Sequence, residues 1–193
     1  MEEHVAAYLD RVRCAIDDLP RARLVALGEM LFRAYKNGKQ VLTLGNGGSA
    51  STASHMAADI GKNTIGANMR RFRIISLNDN MAMVSALAND TGYENVFSEQ
   101  LKNLVQAGDL LIVTSGSGNS PNVLNAIRCA RSHSAEVAGL LGFDGGQAAK
   151  LVDLPIVVPS DDYGVVEDVH LMINHIMVDH FKRRLAEDQP WVV

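Results

Sequence analysis

The stretch TLGNGGSAS, residues 43–51, decides the fold, because it joins the end of an apolar strand to the start of a helix through a glycine-rich turn. Val41 and Leu42 precede it, and three of the four residues 45–48 are glycine. The backbone N–H groups of such a turn approach an anion closely, and the helix that follows adds unpaired N–H groups and the positive end of its dipole. The stretch therefore predicts a ligand site at the carboxyl end of a strand in an α/β sheet.

Short apolar segments alternate with helical ones along the rest of the chain. The predicted strands cover residues 40–44, 72–77, 109–114, 136–141 and 154–158. The predicted helices between them cover residues 49–60, 80–89, 93–106, 120–132 and 145–151, and a closing helix covers 165–186. Such alternation indicates βαβ units, and hence a mostly parallel sheet with helices on both faces.

Two helices precede the first strand. Apolar residues recur at helical spacing over residues 4–17, Pro20 interrupts the pattern, and it resumes over 21–37 until Gly38. We predict a single domain in three parts: a helical arm (1–38), an α/β core with the closing helix (39–186) and a tail (187–193). The tail is expected to be loose, with Trp191 free to contact a partner.

Composition and charge limit the possible functions. The chain of 193 residues carries a formal net charge of −4, which argues against a broad nucleic-acid-binding surface. No apolar run approaches the length of a membrane span, and the charged N-terminal stretch lacks a signal-peptide core. Cys14 and Cys129 lie far apart without metal-type spacing. We therefore expect a cytoplasmic protein with two reduced thiols and no nucleic-acid or membrane partner.

A second glycine- and serine-rich loop, SGSGNS at residues 115–120, follows the strand DLLIVT directly. Its serine hydroxyls are donors for an anion, and Pro121 suits the first turn of the next helix. Neither loop matches the dinucleotide pattern G-x-G-x-x-G or the Walker pattern, so a compact anion such as a sugar phosphate fits better than a nucleotide. Each loop could instead be a tight turn that binds no ligand. This interpretation explains two such loops in one sheet less well than it explains a single one.

Five motifs follow one another along the chain. They are GNGGS (45–49), His55 in the next helix, ANDTGY (88–93), SGSGNS (115–120) and GFDGG (142–146). In this order they resemble the sugar isomerase (SIS) domain proteins, in particular the phosphoheptose isomerases. The resemblance implies a flavodoxin-like five-stranded parallel sheet sandwiched by helices, with an N-terminal helical arm. It also implies a homotetramer with active sites at subunit interfaces, sedoheptulose 7-phosphate as the substrate and often zinc as the cofactor.

Carried over by position, the resemblance also implies a substrate site. The serines of the second loop are expected to bind the phosphate, with the first loop close by. The family has an acidic residue near position 79 that faces the substrate. The candidate substrate-binding residues are Asn46, Gly47, Gly48, Ser49, Asp79, Ser115, Gly116, Ser117 and Ser120.

Ketose–aldose isomerisation needs a base that removes a proton beside a carbonyl, and a group that stabilises the enediolate. His55 and Asp59 are four residues apart and share a helix face, while Glu167 and His175 lie eight apart on the closing helix. Such a set suits a divalent metal such as zinc, and equally a carboxylate base with a histidine acid. The candidate catalytic residues are Asp59, Glu167 and His175, and the candidate metal ligands are His55, Asp59, Glu167 and His175.

The chain departs from the family pattern at several of these positions. Asp59 stands where the family has glutamate, and Glu167 where it has glutamine. Val165 replaces an arginine and Gly116 a threonine, whereas both histidines keep their places. The site therefore carries more negative charge than the family pattern, which favours a bound cation or leaves one carboxylate free as a base.

Each residue also has an interpretation without catalysis. His55 can pack within its helix, Asp59 can be a solvated helix residue, and Glu167 suits a first helical turn. His175 lies in the apolar stretch LMINHIMV, which fits a core or interface histidine, and His170 is expected to pack or hydrogen-bond. The alternative functions are a sugar-phosphate sensor without turnover and a non-catalytic adaptor of the bacterial replication initiator. In the adaptor branch the histidine–carboxylate set is lost.

Overall fold

The computed structural model describes residues 1–66 and 70–187, which form a parallel sheet between two layers of helices. The helices are α1 (Glu2–Asp17), α2 (Arg21–Lys36), α3 (Gly48–Asn63), α4 (Met81–Thr91), α5 (Val96–Leu104), α6 (Pro121–Ser132), α7 (Ala148–Leu151) and α8 (Tyr163–Glu187), with a 3₁₀ turn at Tyr93–Asn95. The strands are β1 (Gln40–Gly45), β2 (Arg73–Ser76), β3 (Leu110–Ser115), β4 (Glu136–Leu141) and β5 (Leu154–Val157). Residues 188–193 of the predicted tail, Trp191 among them, lie outside the described residues.

The strands lie in the order β2-β1-β3-β4-β5, and each neighbouring pair is parallel. The chain passes from β1 to β2 on one side and then returns to place β3 on the other side of β1. This is the strand order of a flavodoxin-like doubly wound sheet, so the predicted fold class is confirmed. The chain reverses direction across the sheet between β1 and β3, where such folds bind their ligands.

Both faces of the sheet are buried. Along β3, Leu110 and Ile112 pack into the core under α2, α3 and α8, whereas Leu111 and Val113 pack into the core under α5 and α6. All four side chains have an exposed fraction of 1% or less. This explains why the strands appear in the sequence as continuous apolar runs rather than as alternating ones.

The two N-terminal helices belong to the layer that α8 completes. Leu27 and Leu31 of α2 are fully buried in the same core as Phe181 of α8. The hydroxyl of Tyr8 on α1 donates a hydrogen bond to Asp168 on α8 at 2.7 Å, and this bond raises the pKa of Tyr8 to about 12. The predicted helical arm is thus attached along α8.

Several element boundaries differ from the predicted ones, and two of these differences have a local reason. The predicted helix 145–151 begins only at Ala148, because Gly145 and Gly146 adopt left-handed φ values of +81° and +55°. The closing helix begins two residues earlier than predicted, because the carboxylate of Asp162 accepts a hydrogen bond from the backbone N–H of Gly164 at 2.9 Å. Such a capping contact satisfies one of the unpaired donors of a first helical turn.

Both cysteines, Cys14 and Cys129, are free thiols, as predicted. The sulfur of Cys129 donates to the carbonyl oxygen of Ser98 at 3.5 Å, and burial raises the pKa of this thiol. Cys129 therefore serves as a weakly donating, partly buried thiol packed against the core. In the part of the chain that the structure describes, no helix combines the length and the apolar composition that crossing a bilayer requires.

His170 of α8 is fully buried, and its Nε2 lies 3.0 Å from the carbonyl oxygen of Leu141. Because a carbonyl oxygen accepts, Nε2 carries the proton of the neutral ring. Burial lowers the pKa of His170 to about 4. His170 thus packs and hydrogen-bonds, as expected from the sequence.

The buried histidine predicts a loss of stability in acid. Above pH 6.5 the ring is neutral in both the folded and the unfolded chain. Between pH 6.5 and pH 4 only the unfolded chain takes up this proton, so the free energy of unfolding falls by about 3 kcal/mol. Urea unfolding at pH 7 and pH 4.5 measures this loss. His170→Gln keeps a donor for Leu141 and should show a smaller loss. An equal loss in both proteins would show that other groups cause it.

Candidate active site

Two loops lie side by side at the carboxyl edge of the sheet, which we name the glycine loop (residues 45–49) and the serine loop (residues 115–120). They follow β1 and β3, which are neighbours with Gly45 opposite Thr114. Asn46 joins the glycine loop to the start of α6, directly after the serine loop, because its side-chain amide exchanges two hydrogen bonds of 2.9 Å with the amide of Asn122. The Tyr93 hydroxyl donates to Asn46 Oδ1 at 2.9 Å. The predicted contact of Asn46 with a substrate stays a prediction.

The serine loop has two hydroxyl oxygens that accept hydrogen bonds within the loop and a third hydroxyl that makes no capping bond to any described residue. Ser115 is buried, and its hydroxyl oxygen accepts from the backbone N–H of Gly118 at 3.1 Å. Ser117 accepts from the N–H of Asn119 at 3.3 Å. Ser120 occupies the N-cap position of α6, yet its side chain makes no capping bond within the described part of the chain. Ser120 therefore places at the N-terminus of α6 a hydroxyl that caps no backbone N–H of the described residues, as an anion site requires.

The first turns of α8 lie across both loops. A side chain on Gly48 would bring its Cβ to 2.1 Å from Oε2 of Glu167, and one on Gly116 would bring its Cβ to 2.7 Å from the ring of Tyr163. The Tyr163 ring also packs against Phe143, with the ring centroids 4.8 Å apart. Glycine at positions 48 and 116 thus permits the close approach of α8. The carboxylate of Glu167 lies at the first turn of α3, where the helix dipole favours a negative charge.

A histidine–carboxylate group lies where α3 packs on α8. Oδ2 of Asp59 is 3.1 Å from Nε2 of His55 and 3.8 Å from Nε2 of His175. The two imidazole rings meet edge to face with their centroids 5.3 Å apart. The exposed fractions of the side chains are 44% for His55 and 53% for His175, so a substrate can reach them. His175 is thus not a core histidine of this chain, while a role at an interface stays open.

The structure brings together three of the four predicted metal ligands. Among the described residues, His55, Asp59 and His175 form the group whose ligand atoms all lie within 4.8 Å of one another. Glu167 lies outside that group and against the glycine loop, so its predicted roles as a ligand and as a base stay predictions. The carboxylate of Asp79 accepts from the Ser54 hydroxyl at 2.5 Å, on a different side of α3.

Sequence reasoning missed two asparagines that contact Asp59. Asn63 is one turn further along α3, and Asn174 immediately precedes His175 on α8. The four-residue spacing of Asp59 and Asn63 was a usable signal, because such pairs share a helix face. A single asparagine in the apolar stretch LMINHIMV carries no comparable signal, since its partner comes from another helix.

A profile described as SIS domain matches residues 5–142 of the chain. The chain belongs to the SIS domain family. This confirms the resemblance inferred from the order of the motifs.

Phosphoheptose isomerases are similar to this SIS domain in sequence and in structure. It is 41% identical over 185 residues to the phosphoheptose isomerase of Aliarcobacter butzleri, covering 96% of this chain and 93% of that protein. It is 39% identical over 163 residues to that of Geotalea daltonii, covering 84% of each. The solved structure of phosphoheptose isomerase GmhA from Neisseria gonorrhoeae has a TM-score of 0.86 at 30% identity, covering 94% of this chain and 98% of that chain.

Proposed function

We propose that this SIS domain protein is a sugar phosphate isomerase that interconverts a ketose and an aldose through an enediol. The observation that carries the proposal is the Asp59 carboxylate between two accessible histidines, on the same helices, α3 and α8, whose first turns meet at the glycine loop. The similarity to phosphoheptose isomerases supports the same class of reaction. The proposed substrate is sedoheptulose 7-phosphate or a closely related sugar phosphate.

The serine loop is proposed to bind the phosphate group. Ser120 lies at the N-terminus of α6, where unpaired backbone N–H groups and the helix dipole favour an anion. Ser115 and Ser117 contribute hydroxyl groups from the same loop, and Ser49 adds another from the first turn of α3. A phosphate held here anchors one end of the sugar, so that its carbonyl end extends over the remaining carboxyl edge of the sheet.

The reaction moves one proton between neighbouring carbon atoms. A carboxylate, Asp59 or Glu167, takes the proton from the carbon beside the carbonyl, and the electron pair forms the enediolate. His175 exchanges a proton with the sugar oxygens, and the carboxylate returns its proton to the neighbouring carbon. Asp59 has the required neighbours in the structure, because both histidines lie against its Oδ2. Glu167 is also proposed as the base, because the family pattern supports a role for this position in the site.

The residues present fit a divalent cation, and our prediction for it is zinc. His55, Asp59 and His175 offer two imidazole nitrogens and a carboxylate oxygen within 4.8 Å of one another, a donor set that zinc prefers. Glu167 is the proposed fourth ligand. A cation bound there supplies Lewis acidity that polarises a sugar oxygen.

The proposal includes a homotetramer with active sites at subunit interfaces. Its support is apolar surface that a single chain leaves uncovered: helix α4 has no buried residue, although its first eight residues read MAMVSALA. The exposed fraction of Met81 is 68%, and Ile75 and Leu104 beside it are also exposed. Surfaces of this kind mark protein–protein contacts. A cytoplasmic location is also part of the proposal, supported by the two free thiols.

Solvent deuterium exchange tests the proposed function. Removal of a proton to a carboxylate lets it exchange with water, so deuterium should enter sedoheptulose 7-phosphate, or another ketose phosphate of a small panel, in heavy water. The experiment is run with and without added zinc, and Asp59→Asn is compared with the wild type as the variant expected to exchange more slowly. Deuterium in one sugar supports the isomerase and names its substrate. If the folded protein binds a sugar phosphate but no deuterium enters it, the protein is a sensor instead. If the folded protein binds no sugar phosphate, the adaptor function remains.

A further inference from the structure

The carboxylate of Asp59 is held by an amide group at each oxygen. Nδ2 of Asn63, one turn further along α3, donates to Oδ1 at 3.0 Å. Nδ2 of Asn174, on α8, donates to Oδ2 at 3.3 Å. Two helices thus fix the plane of this carboxylate, and its Oδ2 also lies 3.1 Å from Nε2 of His55 and 3.8 Å from Nε2 of His175.

The surroundings of Asn174 show that packing does not explain an amide at this position. Its side chain is fully buried, next to the buried Ile173 and close in sequence to the buried Met177. Among the described residues its Oδ1 has no hydrogen-bond partner. A buried carbonyl oxygen without a donor lowers the free energy of unfolding, and a leucine has a similar shape without polar atoms. The amide at position 174 therefore costs stability through its unpaired Oδ1, and it contributes the hydrogen bond from Nδ2 to Asp59.

We infer that Asn174 and Asn63 are positioning residues that orient the Asp59 carboxylate toward His55 and His175. The inference rests on the proposed function, because orientation matters only where Asp59 meets a substrate or a cation. Asp59 has a short side chain on a helix surface and is only partly buried, so without the two amides its carboxylate rotates. A fixed carboxylate is already in its reactive geometry and loses less conformational freedom on reaction or binding.

Asn174→Leu tests the inference, because it removes the donor and the unpaired oxygen together. We expect kcat to fall about 10- to 100-fold with KM little changed, and the affinity for Co²⁺ alone to fall over the same range. The midpoint of thermal unfolding should stay equal or rise, since the buried oxygen without a donor is gone. Asn125→Leu is the matched control: its amide donates to the carbonyl oxygen of Glu94, away from Asp59, so kcat and Co²⁺ affinity should be unchanged.

A double-mutant cycle separates positioning from a general structural effect. In the Asp59→Asn background, Asn174→Leu should change neither residual kcat nor Co²⁺ affinity further, because it acts through the carboxylate. Additive effects overturn the inference. So do unchanged kcat and Co²⁺ affinity in the single variant, or a lowered thermal midpoint. If the wild-type protein exchanges no deuterium into any sugar phosphate, the proposed function is wrong instead. The Co²⁺ affinities and thermal midpoints then still decide the role of Asn174.

Discussion

Asp59→Asn is expected to reduce kcat for the isomerisation about 10³-fold, the largest effect of any single substitution we foresee. Asparagine has the same shape as aspartate but neither accepts a proton nor carries the charge that faces His55 and His175. The loss should appear in kcat more than in KM, because the phosphate is bound elsewhere, by the serine loop. Steady-state kinetics with the sugar identified by deuterium exchange measure it.

Asp179→Asn provides the matched control for that substitution. Asp179 lies on α8 one turn beyond His175, and its carboxylate pairs with Arg183 at 3.2 Å on an exposed surface. The same chemical change there should leave kcat within the range of the wild type, since exposed ion pairs contribute little. Full activity of Asp59→Asn would leave Glu167 as the proposed base.

Ser120→Ala is expected to raise KM for the sugar phosphate about 10- to 100-fold, because it removes one hydrogen bond to the charged phosphate group. The thermal midpoint should not change, because the Ser120 side chain makes no capping bond within the described residues. Ser115→Ala should weaken binding and also lower the thermal midpoint, because its hydroxyl accepts from the N–H of Gly118. Calorimetric titration with the substrate and with inorganic phosphate measures the affinities.

Ser132→Ala at the other end of α6 is the control for the serine substitutions. Its hydroxyl donates to the carbonyl oxygen of Cys129, far from the N-terminus of the helix, so substrate affinity should be unchanged. If Ser120→Ala binds the substrate and inorganic phosphate as tightly as the wild type does, the Ser120 hydroxyl is not part of the phosphate site. The backbone N–H groups of the serine loop would then be the remaining candidates.

The fold could be predicted because its determinants are local. Continuous apolar runs such as residues 109–114 arise from burial on both faces, and the two loops rich in glycine and serine identify the carboxyl ends of β1 and β3. The pairing of His55 with Asp59 could be predicted for the same reason, since both lie on one helix. Their approach to His175 required the resemblance to a family, because it depends on how α8 lies across the sheet.

Other parts of the site depend on contacts between distant segments. The sequence predicts Glu167 as a ligand, but its position against Gly48 follows from the packing of α8 on the glycine loop. Asn46 is a candidate for binding substrate, and nothing in its neighbours indicates that Asn122 pairs with its amide. Asn174 is one polar residue in an apolar helical stretch, and only the tertiary structure gives it a partner.

The packing of α8 against α3 also determines when the site forms during synthesis. The hydrogen bond from Asn174 to Asp59 joins residues 115 positions apart in the chain. On the ribosome, the five strands of the sheet are synthesised before His175. The glycine loop therefore stays uncovered until α8 emerges. Contacts between such distant residues form late in folding because the intervening chain must be ordered first. The site thus acquires its chemistry only after α8 has been made and has packed on α3.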